Sequence, residues 1–142
     1  MPVKKHRQKK ITRAEQRDLD VQIDFIEGVV RRDPGYVDAL QLLGDNYTKR
    51  GRYSEGLEVD ERLAKLEPKN ALVFYNLACS YSLTDQFERA ATALKQALKL
   101  GYHDFKWLAR DPDLRKLRQH ELYGEIAAAI ARLKKRDRKS VV

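Results

Sequence analysis

The chain has 142 residues, enough for one compact domain, with 42% hydrophobic and 35% charged residues. Four prolines and seven glycines are too few for a disordered or collagen-like chain, and a single cysteine excludes an internal disulfide and any CxxC metal site. No apolar run approaches the roughly 20 residues of a membrane span, and no apolar stretch follows the basic start, so neither a membrane segment nor a secretory signal is expected and a cytoplasmic protein is.

The formal net charge of +8 belongs to the ends. Residues 1–13 hold six basic groups (Lys4, Lys5, Arg7, Lys9, Lys10 and Arg13) and no acid. Residues 132–142 hold Arg132, Lys134, Lys135, Arg136, Arg138 and Lys139 against Asp137 alone. The body between them has a net charge of −3. Basic tails are therefore expected at 1–12 and 134–142, around a helical domain at 13–133. Residues 1–10 have only Met1 and Val3 as apolar content, too little to offset ordering, and should be mobile.

The first element is marked by Thr12-Arg13-Ala14-Glu15, a capping-box signature. Leu19, Ile23, Ile26 and Val30 then follow at helical spacing up to Asp33-Pro34-Gly35.

From Val37 a period of 34 runs along the chain. It aligns Leu40 with Phe74, Leu43 with Leu77, Gly44 with Ala78, Tyr47 with Tyr81, Gly56 with Ala90, and Pro34 with Pro68. Each unit, 37–70 and 71–104, reads as two helices. Leu40, Leu43, Gly44 and Tyr47 share one helix face, and Gly51 ends that helix. A return helix from Tyr53 stops at Glu67-Pro68, since Pro pushes its predecessor out of the α region. The second unit repeats the plan, with antiparallel pairs predicted at 37–50 with 53–66 and 71–84 with 87–100. The segment from Thr12 reads as the second helix of an earlier unit that lacks its first. No pair can bury its apolar face alone, so the pairs must stack.

After Asp104 the period fails. Phe105, Trp107 and Leu108 form a short apolar piece, and Asp111-Pro112 is an N-cap with Pro at the first helical position. Leu122, Ile126, Ala129, Ile130 and Leu133 mark a last amphipathic helix, so 105–133 should cap the stack as 13–33 does at the other end.

The residues Leu43-Gly44, Tyr47, Tyr53 and Pro68, then Phe74, Leu77-Ala78, Tyr81, Phe87, Ala90 and Ala97, resemble the tetratricopeptide repeat, in its small bacterial form. The resemblance implies an all-α fold, an α-α superhelix or right-handed solenoid of antiparallel helix pairs. It also implies a concave groove lined by the first helix of each unit. Asp38, Gln41, Asp45, Thr48 and Lys49 should face it, followed by Leu72, Tyr75, Asn76, Cys79, Ser82 and Leu83, with Lys106 and Arg110 beyond. Tyr75 is expected to be partly exposed there as a binding anchor. Asp60, Gly56 and Tyr102 depart from the family pattern. Chaperone-binding members hold a partner's C-terminal carboxylate with lysines, asparagines and an arginine. Asn76, Lys106 and Arg110 stand at matching positions, whereas Gln41 and Asp45 replace a Lys and an Asn, and an Asp repels a carboxylate.

No catalytic constellation can be assembled. His6, His103 and His120 are far apart and lack a second ligand at helical spacing, so no metal site is expected. Cys79 reads as a small packing or groove residue, and Asp111 as a cap. No cofactor and no small-molecule substrate are implied. The leading function is a non-enzymatic adaptor or scaffold, similar to a co-chaperone, that binds a peptide or protein in the concave groove. The alternative is a ribosome- or nucleic-acid-associated factor. It would dock through Lys4, Lys5, Arg7, Lys9 and Lys10 with Lys134, Lys135, Arg136, Arg138 and Lys139.

Overall fold

A computed structural model describes residues 10–140 of the chain. Its described residues are helical throughout, without a strand: α1 (Arg13–Arg32), α2 (Val37–Lys49), α3 (Tyr53–Leu66), α4 (Ala71–Leu83), α5 (Phe87–Lys99), α6 (Phe105–Leu108), a 3-10 turn at Pro112–Leu114, α7 (Arg115–Arg118) and α8 (Tyr123–Ser140). This is the α-α superhelical architecture that the 34-residue period predicts.

The local chemistry explains the boundaries. The capping box forms: Thr12 Oγ1 accepts the Glu15 N–H at 3.1 Å and Glu15 Oε1 accepts the Thr12 N–H at 2.9 Å. Asn70 caps α4, its Oδ1 accepting from Leu72 and Val73. The turns after α2 and α5 use Gly51 and Gly101 at φ +84° and +108°, where an L side chain is strained. The equivalent turn after α4 uses Asp85 at φ +61°, a conformation that Asp tolerates better than most.

Close approach within each pair depends on small residues. A Cβ on Gly44 would lie 3.4 Å from Val59 Cγ1, and one on Gly56 would lie 3.2 Å from Thr48 Oγ1. Ala90 is fully buried in the second pair. Tyr47, Leu77 and Tyr81 are buried as expected, and Phe87 is half-buried with its ring 4.9 Å from that of His120.

Asp60 has a partner although it replaces an aromatic. It is buried and accepts the Ser80 hydroxyl at 2.5 Å, tying α3 to α4. The tyrosines at repeat spacing also act in register. Tyr47 donates to Glu27 and Tyr81 donates to Glu61, each reaching back 20 residues to the preceding return helix. Burial followed by the neighbouring carboxylate pushes both phenols above their ordinary range.

The apolar core falls into two clusters. One runs from Ile23 on α1 through Leu40 and Leu43 to Leu63 and Val73. The other runs from Leu57 through α4 and α5 to Leu108, Leu114, Leu117, Ile126 and Ile130. Residues 105–118 take the position of a third unit's first helix, broken after one turn, and α8 packs on α5.

Candidate functional site

The first helices of the two units carry the expected concave face, and the structure divides it. On α2 the side chains of Asp38 and Lys49 are exposed, and those of Gln41 and Asp45 are partly exposed. Leu42 lies among them at 50% exposure, an apolar side chain within a polar rim. Thr48, expected in the groove, is instead buried, its hydroxyl donating to the Gly44 carbonyl at 3.0 Å. On α4, Leu72, Asn76 and Leu83 remain partly exposed.

The rest of the α4 face is closed, which corrects the reading of Tyr75, Cys79 and Ser82 as groove residues. Tyr75 was expected to be partly exposed and is 0% exposed; Cys79 is equally buried and Ser82 nearly so. The cause lies in the segment after Asp104. The Tyr75 hydroxyl donates to Asp111 Oδ2 at 2.6 Å, the Cys79 thiol lies 3.7 Å from the same oxygen, and the Tyr75 ring stacks on Tyr102 at 4.2 Å between centroids. Arg118 secures the covering loop by donating to the carbonyls of Leu108 and Asp111, both at 2.8 Å. Burial, with the Asp111 carboxylate beside it, pushes the Tyr75 phenol far above its ordinary range, so it stays a donor at all physiological pH.

Cys79, Asp111 and Asp113 bring one potential ligand atom each within 4.8 Å of one another. Asp111 Oδ2 already accepts from Tyr75, and its Oδ1 accepts the Asp113 N–H at 3.0 Å as a cap. The cluster thus works as a lock between α4 and the C-terminal cap.

Lys106 and Arg110 are exposed at the far edge of the face. Helix α6 ends at Leu108, so Arg110 sits in the following turn with its guanidinium 5.9 Å above the Trp107 ring. Of the basic groups read as polyanion contacts, Lys10, Lys134, Lys135, Arg136 and Arg138 are exposed. Lys4, Lys5, Arg7 and Lys9 lie outside the described residues, as does the Lys139 side chain. Helix α8 continues through the basic stretch as far as Ser140, which puts these cations at the helix end whose dipole favours them.

Residues 71–100 match the family model of the tetratricopeptide repeat. Over 79 residues, 54% of this chain, the sequence is 44% identical to a chloroplastic protein of Arabidopsis thaliana, and the match covers 24% of that protein. It is 35% identical over 91 residues to the peroxisomal targeting signal receptor of Komagataella phaffii, spanning 62% of this chain and 16% of the receptor. It is 30% identical over 101 residues to the PEX5-related protein of Mus musculus, spanning 71% of this chain and 18% of that protein. The chain therefore covers about a quarter or less of the length of each. Residues 71–100 carry a tetratricopeptide repeat. No helix among the described residues is long and apolar enough to cross a membrane.

Proposed function

We propose, with the tetratricopeptide repeat at 71–100 as premise, that this chain is a non-catalytic adaptor that holds an extended peptide or protein segment on its concave face. The observation that carries the reading is Leu42, half exposed between Asp38, Gln41, Asp45 and Lys49 on a stretch of the face that the other described residues leave open. An apolar anchor within a polar rim is the usual anatomy of a binding patch. One relative is by name a receptor for a targeting signal, which supports a protein segment as the ligand.

The ligand differs from the C-terminal carboxylate taken by chaperone-binding repeats. Gln41 supplies no cation where that clamp has a Lys, and Asp45, in place of an Asn, repels a carboxylate. A ligand with a Lys or Arg opposite the exposed Asp38 fits better.

The test is affinity capture from the source cell with the parent chain and with Leu42→Glu and Asp45→Lys. Both positions are at least partly exposed, so helicity by circular dichroism should be unchanged. Retention of the same partners by both variants would move the function off this face.

A further inference from the structure

Repeat spacing leaves one helix without its mate. Helix α1 stands where a unit's second helix stands, and among the described residues no first helix precedes it. Val59, 34 residues after Phe25, packs against Gly44 on the first helix of its own pair. Phe25 holds the same place on α1 and is 73% exposed; Val21, one turn earlier, is 68% exposed. On an α-helix Asp18 and Asp24 flank this pair on the same face, and both are exposed. Residues 14–30 carry five carboxylates and one arginine. Ends of a solenoid ordinarily turn a polar face outward, and α1, the first helix among the described residues, instead shows Val21 and Phe25.

The opposite end of the molecule offers a complement. Helices α5 and α8 leave a groove of about 930 Å³ between them. Its floor includes Ala128, Ala129 and Leu133, and Lys99, Arg132 and Arg136 are exposed along its rim. Glu125, the carboxylate in the lining, is paired with Lys95. Small residues on α8 permit a helix to approach closely, as Gly44 does on a first helix.

We infer that a second copy of this chain covers the exposed face: α1 of one copy lies in the α5–α8 groove of the next, head to tail. Val21 and Phe25 then reach the alanine floor while Asp18 and Asp24 meet Lys99, Arg132 and Arg136. Pairing of α1 with α1 would instead bring the same two aspartates toward their own copies, where like charges repel. A head-to-tail contact that does not close into a ring continues to add copies. With two apolar side chains at its centre the contact is small and belongs to the weak class.

The experiment is sedimentation of the full chain from roughly 1 μM to 1 mM, the range of weak contacts, at low and high salt. The average mass should rise above the 16.5 kDa monomer with concentration and fall back with salt. Phe25→Glu alone and the double variant Arg132→Glu with Arg136→Glu alone should each remain monomeric. Mixed in equal amounts they should form dimers that grow no further, because the one contact uses the single intact α1 face and the single intact groove of the pair. Leu42→Glu should assemble like the parent, which separates this contact from the concave face. All these side chains are exposed, and circular dichroism checks that the fold is retained. A parent that stays at 16.5 kDa throughout overturns the inference. So does assembly by the groove variant alone, or a mixture that stays monomeric.

Discussion

Tyr75→Phe isolates the lock between α4 and the C-terminal cap. The substitution keeps the ring stacked on Tyr102, 12° from parallel, and deletes only the hydroxyl that donates to Asp111 Oδ2 at 2.6 Å. Both residues are almost wholly inside the protein. A hydrogen bond to a charged acceptor contributes about 1.5–3 kcal/mol. Asp111 keeps the Asp113 N–H at 3.0 Å, and phenylalanine no longer requires a hydroxyl to leave water, so the lower half of that range is expected. A loss of about 2 kcal/mol should lower Tm by roughly 4–8 °C in a domain of this size. Thermal melts by circular dichroism measure this directly. Urea titrations should show a lower midpoint with the same m-value, since no additional surface is exposed in the folded state. A double-mutant cycle with Asp111→Asn should return a coupling of about 1 kcal/mol or more. A variant that melts within about 1 °C of the parent, or a coupling near zero, would show that packing alone holds the cap.

Two further outcomes follow from the core and from one surface pair. Ala90 has no exposed surface in the α4–α5 contact, so Ala90→Leu should overpack it and cost about 1–3 kcal/mol in a denaturation midpoint; a parent-like midpoint would displace the packing register. The Arg52 guanidinium, hydrogen-bonded to Glu55 at 2.5 and 2.7 Å, holds that carboxyl below its ordinary value of 4.5. A depressed carboxylate stabilises the fold above its ordinary value, and the contribution is lost as pH falls through the depressed one. Arg52→Ala should therefore cost a few tenths of a kcal/mol at neutral pH, because the pair is largely solvated. The gap should narrow in acid toward what Arg52 contributes by lying 4.8 Å over the Tyr47 ring. A gap that does not change between neutral and acid pH would remove the ion pair from the account.

Helix positions were legible because periodicity and punctuation agree. Gly51, Pro68 and Gly101 end helices where the apolar pattern also stops, and the four repeat helices lie within a residue of the predicted ranges. The groove was less legible for a physical reason. Position 75 is set by the first helix of a unit, but its exposure is set by what packs on it next, and there the period fails. Asp111 reads correctly as a cap from its place before Pro112. Nothing in that local pattern reveals that its second oxygen reaches 36 residues back to Tyr75. The basic run at 132–139 poses a similar ambiguity, since charge alone does not distinguish a solvated tail from the end of a helix. Phe25 and Val21 were hidden in another way: their spacing is amphipathic, but their exposure depends on whether a neighbouring helix covers them, and among the described residues none does.

The division of the core into two clusters predicts how the molecule breathes. Helix α1 rests chiefly on α2 and belongs to the smaller cluster, whereas α4 and α5 are enclosed by α3 on one side and by the cap on the other. In a stack of nearest-neighbour contacts the end unit can detach while the rest stays folded. Amide hydrogens of α1 should exchange through local opening, well before those of α4 and α5, which wait for global unfolding. A ligand on α2 would slow exchange in α1 without touching it, because the polar links from Asn46 to Gln22 and from Arg50 to Asp20 transmit any ordering of α2 to its neighbour.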